Sequence, residues 1–155
     1  MMIELMLTLL FAAHNCSPGA DVNAAGPQSS DLVGRWKIDI TFEHNSKRSL
    51  RFEAENSGKG SLLLEPRSNW DEPGEPSQAK WTVGREKSVT ISGPVAFPIG
   101  NVGREPGVLV FKGAFKSETT ITGEIAFFSM DQDPMDPKST PSKTGKFEAT
   151  RVAAH

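Results

Sequence analysis

Leu32–Glu43 reads LVGRWKIDITFE, and from Trp36 onward its side chains take turns: Trp36, Ile38, Ile40 and Phe42 share one parity, while Lys37, Asp39, Thr41 and Glu43 share the other. A strict period of two marks a strand with one face buried rather than a helix, because successive side chains on a pleated backbone point to opposite faces. This stretch therefore reads as the first strand of an all-β fold.

The same alternation returns downstream. Leu50, Phe52 and Ala54 oppose Arg51, Glu53 and Glu55 in a second strand, and Leu62 and Leu64 point inward in a third, Ser61 to Glu65. Between them Asn56 to Gly60 has hairpin-turn composition, since glycine tolerates the positive φ such turns require. Ala79, Trp81 and Val83 mark a fourth strand, Gly84 to Lys87 a tight turn, and Val89 and Ile91 a fifth strand. Leu109 and Phe111 point inward in a sixth, Val108 to Phe115, and Ile121, Ile125 and Phe127 in a seventh, Thr119 to Met130. Gly123 stands in the seventh where a sheet must bend or be closely approached. The eighth, Gly145 to Val152, sets Phe147, Ala149 and Arg151 on one face. Residues 32–152 are thus expected to form an eight-stranded antiparallel up-and-down barrel.

Three connections look long. Pro66 to Ser77 holds Pro66, Pro73 and Pro76 and is no regular element; Gly93 to Gly107 is apolar as well as turn-rich; the third follows Met130. In an up-and-down sheet the third, fifth and seventh connections share one end. The expectation is a barrel with one elaborated mouth, closed at the other end near Trp36. Eight strands leave a lumen that side chains fill or that holds one small ligand.

Composition narrows the function. The 155 residues carry a formal net charge of −2 with acids and bases interspersed, which disfavours nucleic acid as a partner. Nine Phe and three Trp without any Tyr make the aromatics apolar filler, and one Cys excludes an intrachain disulfide. His14 lies in an apolar leader, His155 ends the sequence and His44 sits in a polar turn, so no histidine has a Ser or Cys to activate or a second ligand at metal spacing. Asp131, Asp133 and Asp136 superficially suggest a calcium loop, but that motif needs a glycine at the sharp turn and a later bidentate Glu, and the stretch instead carries Pro134 and Pro137. No enzyme activity, cofactor or metal is expected.

Residues 1–15 read as an export signal and 16–31 as a flexible tether. Ile3 to Ala13 is apolar and too short for an ordinary transmembrane helix, which fits a secretory h-region, although Glu4 and the lack of Lys or Arg make the n-region atypical unless translation begins upstream. Cys16, followed by an Ala-, Gly-, Ser- and Pro-rich tether, resembles a bacterial lipoprotein site, though Ala13, His14 and Asn15 depart from the usual lipobox. Signal cleavage after Val22-Asn23-Ala24 and a retained cytoplasmic segment are the alternatives.

Binding is the stronger functional expectation. Trp70, Phe97, Ile99, Val102, Met130 and Met135 all fall in the long connections, and that much apolar area on loops either binds something or caps a filled barrel. Phe128 and Met130 face outward by parity and offer a protein contact instead.

Two further features resemble a known family. Gly34-x-Trp36 at the head of the first strand resembles the G-x-W of lipocalins, and Arg151 resembles the arginine that stacks over that tryptophan at the closed end. With Gly123 and the terminal Gly145-x-Phe147-x-Ala149-Thr150-Arg151, residues 32–152 look like small secreted lipocalin-like proteins of bacteria. The large first-connection lid and the helix before the last strand, usual in lipocalins, are not evident. The resemblance implies a closed barrel in the periplasm or outer cell envelope that binds a small apolar molecule; the alternative is a structural or protein-interaction module with a filled core, touching another envelope protein. Membrane contact is expected through lipidated Cys16 only.

Overall fold

A computed structural model of the chain describes residues 31–68, 71–72, 74–99 and 103–154. Residues 1–30, with Cys16 and almost the whole tether, lie outside them, as do Trp70 and Val102. The alternation that opens the barrel is realised in β1 (Gly34–Phe42), where Trp36, Ile38, Ile40 and Phe42 are buried and the residues between them exposed. The chain continues through β2 (Lys47–Ala54), β3 (Lys59–Leu64), β4 (Ser77–Val83), β5 (Ser88–Ile99), β6 (Gly103–Ser117), β7 (Thr120–Ser129) and β8 (Lys143–Arg151). Each strand pairs antiparallel with its sequence neighbours, and β8 returns to β1, closing an eight-stranded barrel.

Closure is registered by apolar pairs. Trp36 faces Phe52 on one side and Arg151 on the other, and Ile40 faces Phe147. Shifting any strand by one residue would turn its apolar set to water, so burial fixes the register. Seventeen of the eighteen apolar residues larger than alanine that are expected inside are buried; the exception, Val83, is half-buried against the core at the end of β4. Leu32, Ala54, Ala79, Phe97 and Ala149 complete the core. Ile38, Leu50, Ile91, Leu109, Phe111, Ile121 and Phe127 have zero exposure, which leaves no water-sized lumen beside them. Bulk is accommodated where Gly113 faces Gly123: a Cβ on Gly123 would lie 2.4 Å from the Gly113 Cα, and one on Gly113 would lie 2.9 Å from the Phe147 ring. Among the described residues no buried side-chain nitrogen or oxygen lacks a hydrogen-bond partner.

One expectation fails here. Gly93 to Gly107 is not a loop, because β5 and β6 run on as a long hairpin paired from Ser88↔Ala114 to Ile99↔Gly103. Val95 and Phe97 continue the inward parity of Val89 and Ile91, and Phe97 is only 4% exposed, a core residue rather than a mouth loop. The prolines fit because the last β4 partner of β5 is Ser92. The Pro94 carbonyl faces Ser77 on that unpaired side, so the Pro94 nitrogen, and that of Pro98 four residues on, meets no ladder acceptor. The mouth is therefore elaborated by two long connections, β3–β4 and β7–β8, not three.

Candidate functional site

The closed end is held by one arginine. Trp36 donates its indole N–H to the Leu32 carbonyl at 2.8 Å, and the Arg151 guanidinium lies 4.4 Å from the indole centroid. Its Nη1 donates to the Val33 carbonyl at 2.8 Å and its Nη2 to that of Asp31, clasping the chain that leads into β1. Gly34 is required beneath it: φ is +129°, and a Cβ would lie 3.0 Å from Nη1. The three expected closure residues, Gly34, Trp36 and Arg151, thus meet at one point.

The mouth is built in two layers. Phe97 stacks edge-on with Phe42 at 5.8 Å and with Phe127 at 5.1 Å, plugging the barrel with three rings. Above them, still on the inward parity of their strands, stand Arg48, Glu105, Ser129 and Lys143. Lys143 Nζ lies 5.1 Å above the Phe127 ring and is neutralised by Glu105 at 2.6 Å. Arg48 lies 5.9 Å from the Phe97 centroid, and among the described residues no carboxylate comes within ion-pair distance of it. Its pKa is lowered, first by burial and next by the neighbouring Arg67, with Asp71 opposing.

Beside the mouth, where β4 has ended and β5 continues, a cleft of about 610 Å³ opens between the β3–β4 connection and the β5–β6 hairpin. Leu62, Leu64 and Val95 line it from the inward side, Pro94, Ala96, Pro106 and Met130 from the outer side, and Glu72, Glu75 and Arg104 supply its charge. The Arg104–Glu72 ion pair, 3.9 Å, links the hairpin to the connection. A small recess lined by Arg48, Glu65, Asp71 and Pro98 adjoins the cleft, sharing Leu64, Glu72, Gly74 and Arg104 with it.

Of the six expected ligand residues, the four that are described do not converge. Met130 lines the cleft and is 72% exposed, Phe97 lies below Arg48 in the core, and Ile99 ends β5 half exposed. Met135, 86% exposed, lines a separate groove of about 910 Å³ on the outer face, with Val108, Val110, Ala126 and Phe128. Trp70 and Val102 lie outside the described residues. The cleft residues Leu62 and Leu64 read as ordinary core, and its opening depends on β5 outlasting β4, which no local pattern announces. Arg48 carried a readable signal: it has the inward parity of Leu50, Phe52 and Ala54.

The acidic loop is a set of local caps. Asp133 accepts the Met135 N–H and Asp136 the Lys138 N–H, and among the described residues no three His, Cys, Asp or Glu side chains group as metal ligands. His44 is exposed in the β1–β2 turn.

No family model matches the chain, and no curated protein matches it. Among solved structures it is similar to a redesigned beta barrel at 12% identity and a TM-score of 0.43, covering 81% of this chain and 94% of that one. It is also similar to EF1p2_mFAP2b bound to DFHBI, at 15% identity and a TM-score of 0.47, covering 80% of this chain and 95% of that one.

Proposed function

We propose that the protein is an exported, non-catalytic, lipocalin-like barrel that takes up a small apolar molecule in the cleft beside its mouth. The cleft itself carries this reading: its volume falls in the range of small-molecule sites, and its walls are apolar side chains with a few charges at hand. Uptake inside the lumen has no support, because the inward side chains fill it. The lipocalin-like reading rests on Gly34, Trp36 and Arg151 meeting at the closed end. Export and lipidation rest on the sequence of residues 1–30, and labelled palmitate entering the wild type but not Cys16→Ser is the expected outcome.

The neutral dye N-phenyl-1-naphthylamine tests the cleft. Saturable fluorescence enhancement is expected, weakened about tenfold by Ala96→Phe, which fills the cleft from the outer side of β5. Absence of saturable uptake, or uptake indifferent to Ala96→Phe in a normally folded variant, sinks the reading. A second reading, a protein-interaction module of the cell envelope, is favoured by the outer groove with Val108, Val110, Phe128 and Met135. It replaces the first if Met135→Lys loosens a native complex while dye uptake is absent.

A further inference from the structure

We infer that the molecule taken up in the cleft carries an uncharged carboxamide, whose carbonyl accepts the Ala96 backbone N–H and whose own N–H donates to the Ala96 carbonyl, while its apolar body lies along Leu62, Leu64 and Val95. The inference rests on the cleft reading above and specifies the ligand's chemistry.

The prolines of the β5–β6 hairpin carry it. In an antiparallel ladder, opposite residues alternate between pairs that exchange both backbone hydrogen bonds and pairs that exchange none. Pro94 faces Val108, Ala96 faces Pro106 and Pro98 faces Arg104. A pair that contains proline cannot exchange both bonds, so all three are of the second kind. The N–H and C=O of Ala96 therefore point away from β6, to the flank where pairing with β4 has already ended at Lys80↔Ser92. The Ser77 hydroxyl, which donates to the Pro94 carbonyl at 2.5 Å, marks the same flank. Among the described residues no turn or loop backbone bonds to Ala96 there, and Ala96 is half-buried in the wall of the cleft. Backbone polar groups so placed gain from a partner that matches both of them. A pairing strand would find no N–H at 94 or 98 and the carbonyl of 94 already held by Ser77, so the flank suits one amide rather than a length of peptide. A carboxamide presents an acceptor and a donor side by side. Charge favours a neutral group over an anion: Arg104 is answered by Glu72 at 3.9 Å, and the exposed Glu75 adds a negative charge to the lining.

The experiment displaces bound N-phenyl-1-naphthylamine from the full chain with 2-naphthamide and with 2-methylnaphthalene, which has the same rings and no amide. Two variants are compared. Ala96→Pro removes the N–H at the cost of no ladder bond, as at 94 and 98, and Ala96→Val adds similar bulk while keeping the N–H. Against Ala96→Val, Ala96→Pro is expected to need about three- to tenfold more 2-naphthamide, the worth of one hydrogen bond, and no more 2-methylnaphthalene. In the wild type, amide NMR is expected to show the Ala96 proton moving downfield with 2-naphthamide and not with 2-methylnaphthalene, a readout that holds even if Ala96→Pro fails to fold. An Ala96 proton that stays in place, or equal displacement by 2-naphthamide from both variants, overturns the inference while the cleft reading stands. A blocked trivaline peptide that displaces the dye better than 2-naphthamide also overturns it, in favour of strand docking. Failure of the dye to bind at all removes the cleft reading and the inference together.

Discussion

Two arginines of inward parity stand at opposite ends of the barrel, and their surroundings give them different work. Arg151 has its guanidinium committed to the Val33, Asp31 and Glu118 carbonyls and to the Trp36 face, so it acts as a clasp. Arg151→Met keeps most of the apolar stem and loses those contacts. It is expected to cost about 1–3 kcal/mol in urea unfolding, since three carbonyls lose a charged donor. Gly34→Ala should fall in the same range, because it forces a Cβ into the left-handed region and against that guanidinium. Arg48, over the Phe97 ring and without a described ion pair, is expected to contribute little to folding, and Arg48→Met to leave the urea midpoint nearly unchanged. A midpoint that falls as far for Arg48→Met as for Arg151→Met would mean that both are structural.

The long β5–β6 hairpin is the element that makes the mouth asymmetric. Past Ser92 its β5 strand has β6 on one side and no β4 partner on the other, an edge that in a barrel would otherwise invite a strand from another molecule. Pro94 and Pro98 remove the donors from that edge at 94 and 98, leaving Ala96 between them. Replacing both by Thr restores two N–H groups on an open flank. The double variant is expected to show more concentration-dependent association than the wild type in sedimentation velocity, with little change in melting temperature. The alternation in this hairpin was present in Val95, Phe97 and Ile99, but two prolines and the flanking glycines gave the segment the composition of a loop. What overrode that composition was burial: Phe97 finds Phe42 and Phe127 to stack on, and water offers no equivalent.

For the whole molecule, stability rests on an apolar interior rather than on charge. No charged side chain is buried among the described residues, and every partner in the five described ion pairs is at least 25% exposed. Raising salt from about 0.05 M to about 1 M should therefore change unfolding free energy by less than about 1 kcal/mol, whereas Phe111→Ala at the centre should cost about 3–5 kcal/mol. Both are read from urea melts. The periodicity of Trp36 to Phe42, and its echoes at Leu50, Trp81, Phe111 and Phe147, by itself determined that eight strands form and which of their faces turn inward, because each is a matter of which side of a pleat a residue occupies; the pairing of Trp36 with Arg151 was implied by the lipocalin resemblance, and the run of β5 and β6 through Gly93 to Gly107 was hidden by its prolines and glycines. Where β4 stops relative to β5, the cleft this opens, and the absence of an ion pair for Arg48 among the described residues were decided only in the tertiary structure. Those depend on strand lengths and loop paths that bring residues far apart in the chain, such as Leu62, Ala96 and Met130, to one wall, and no local alternation encodes such distances.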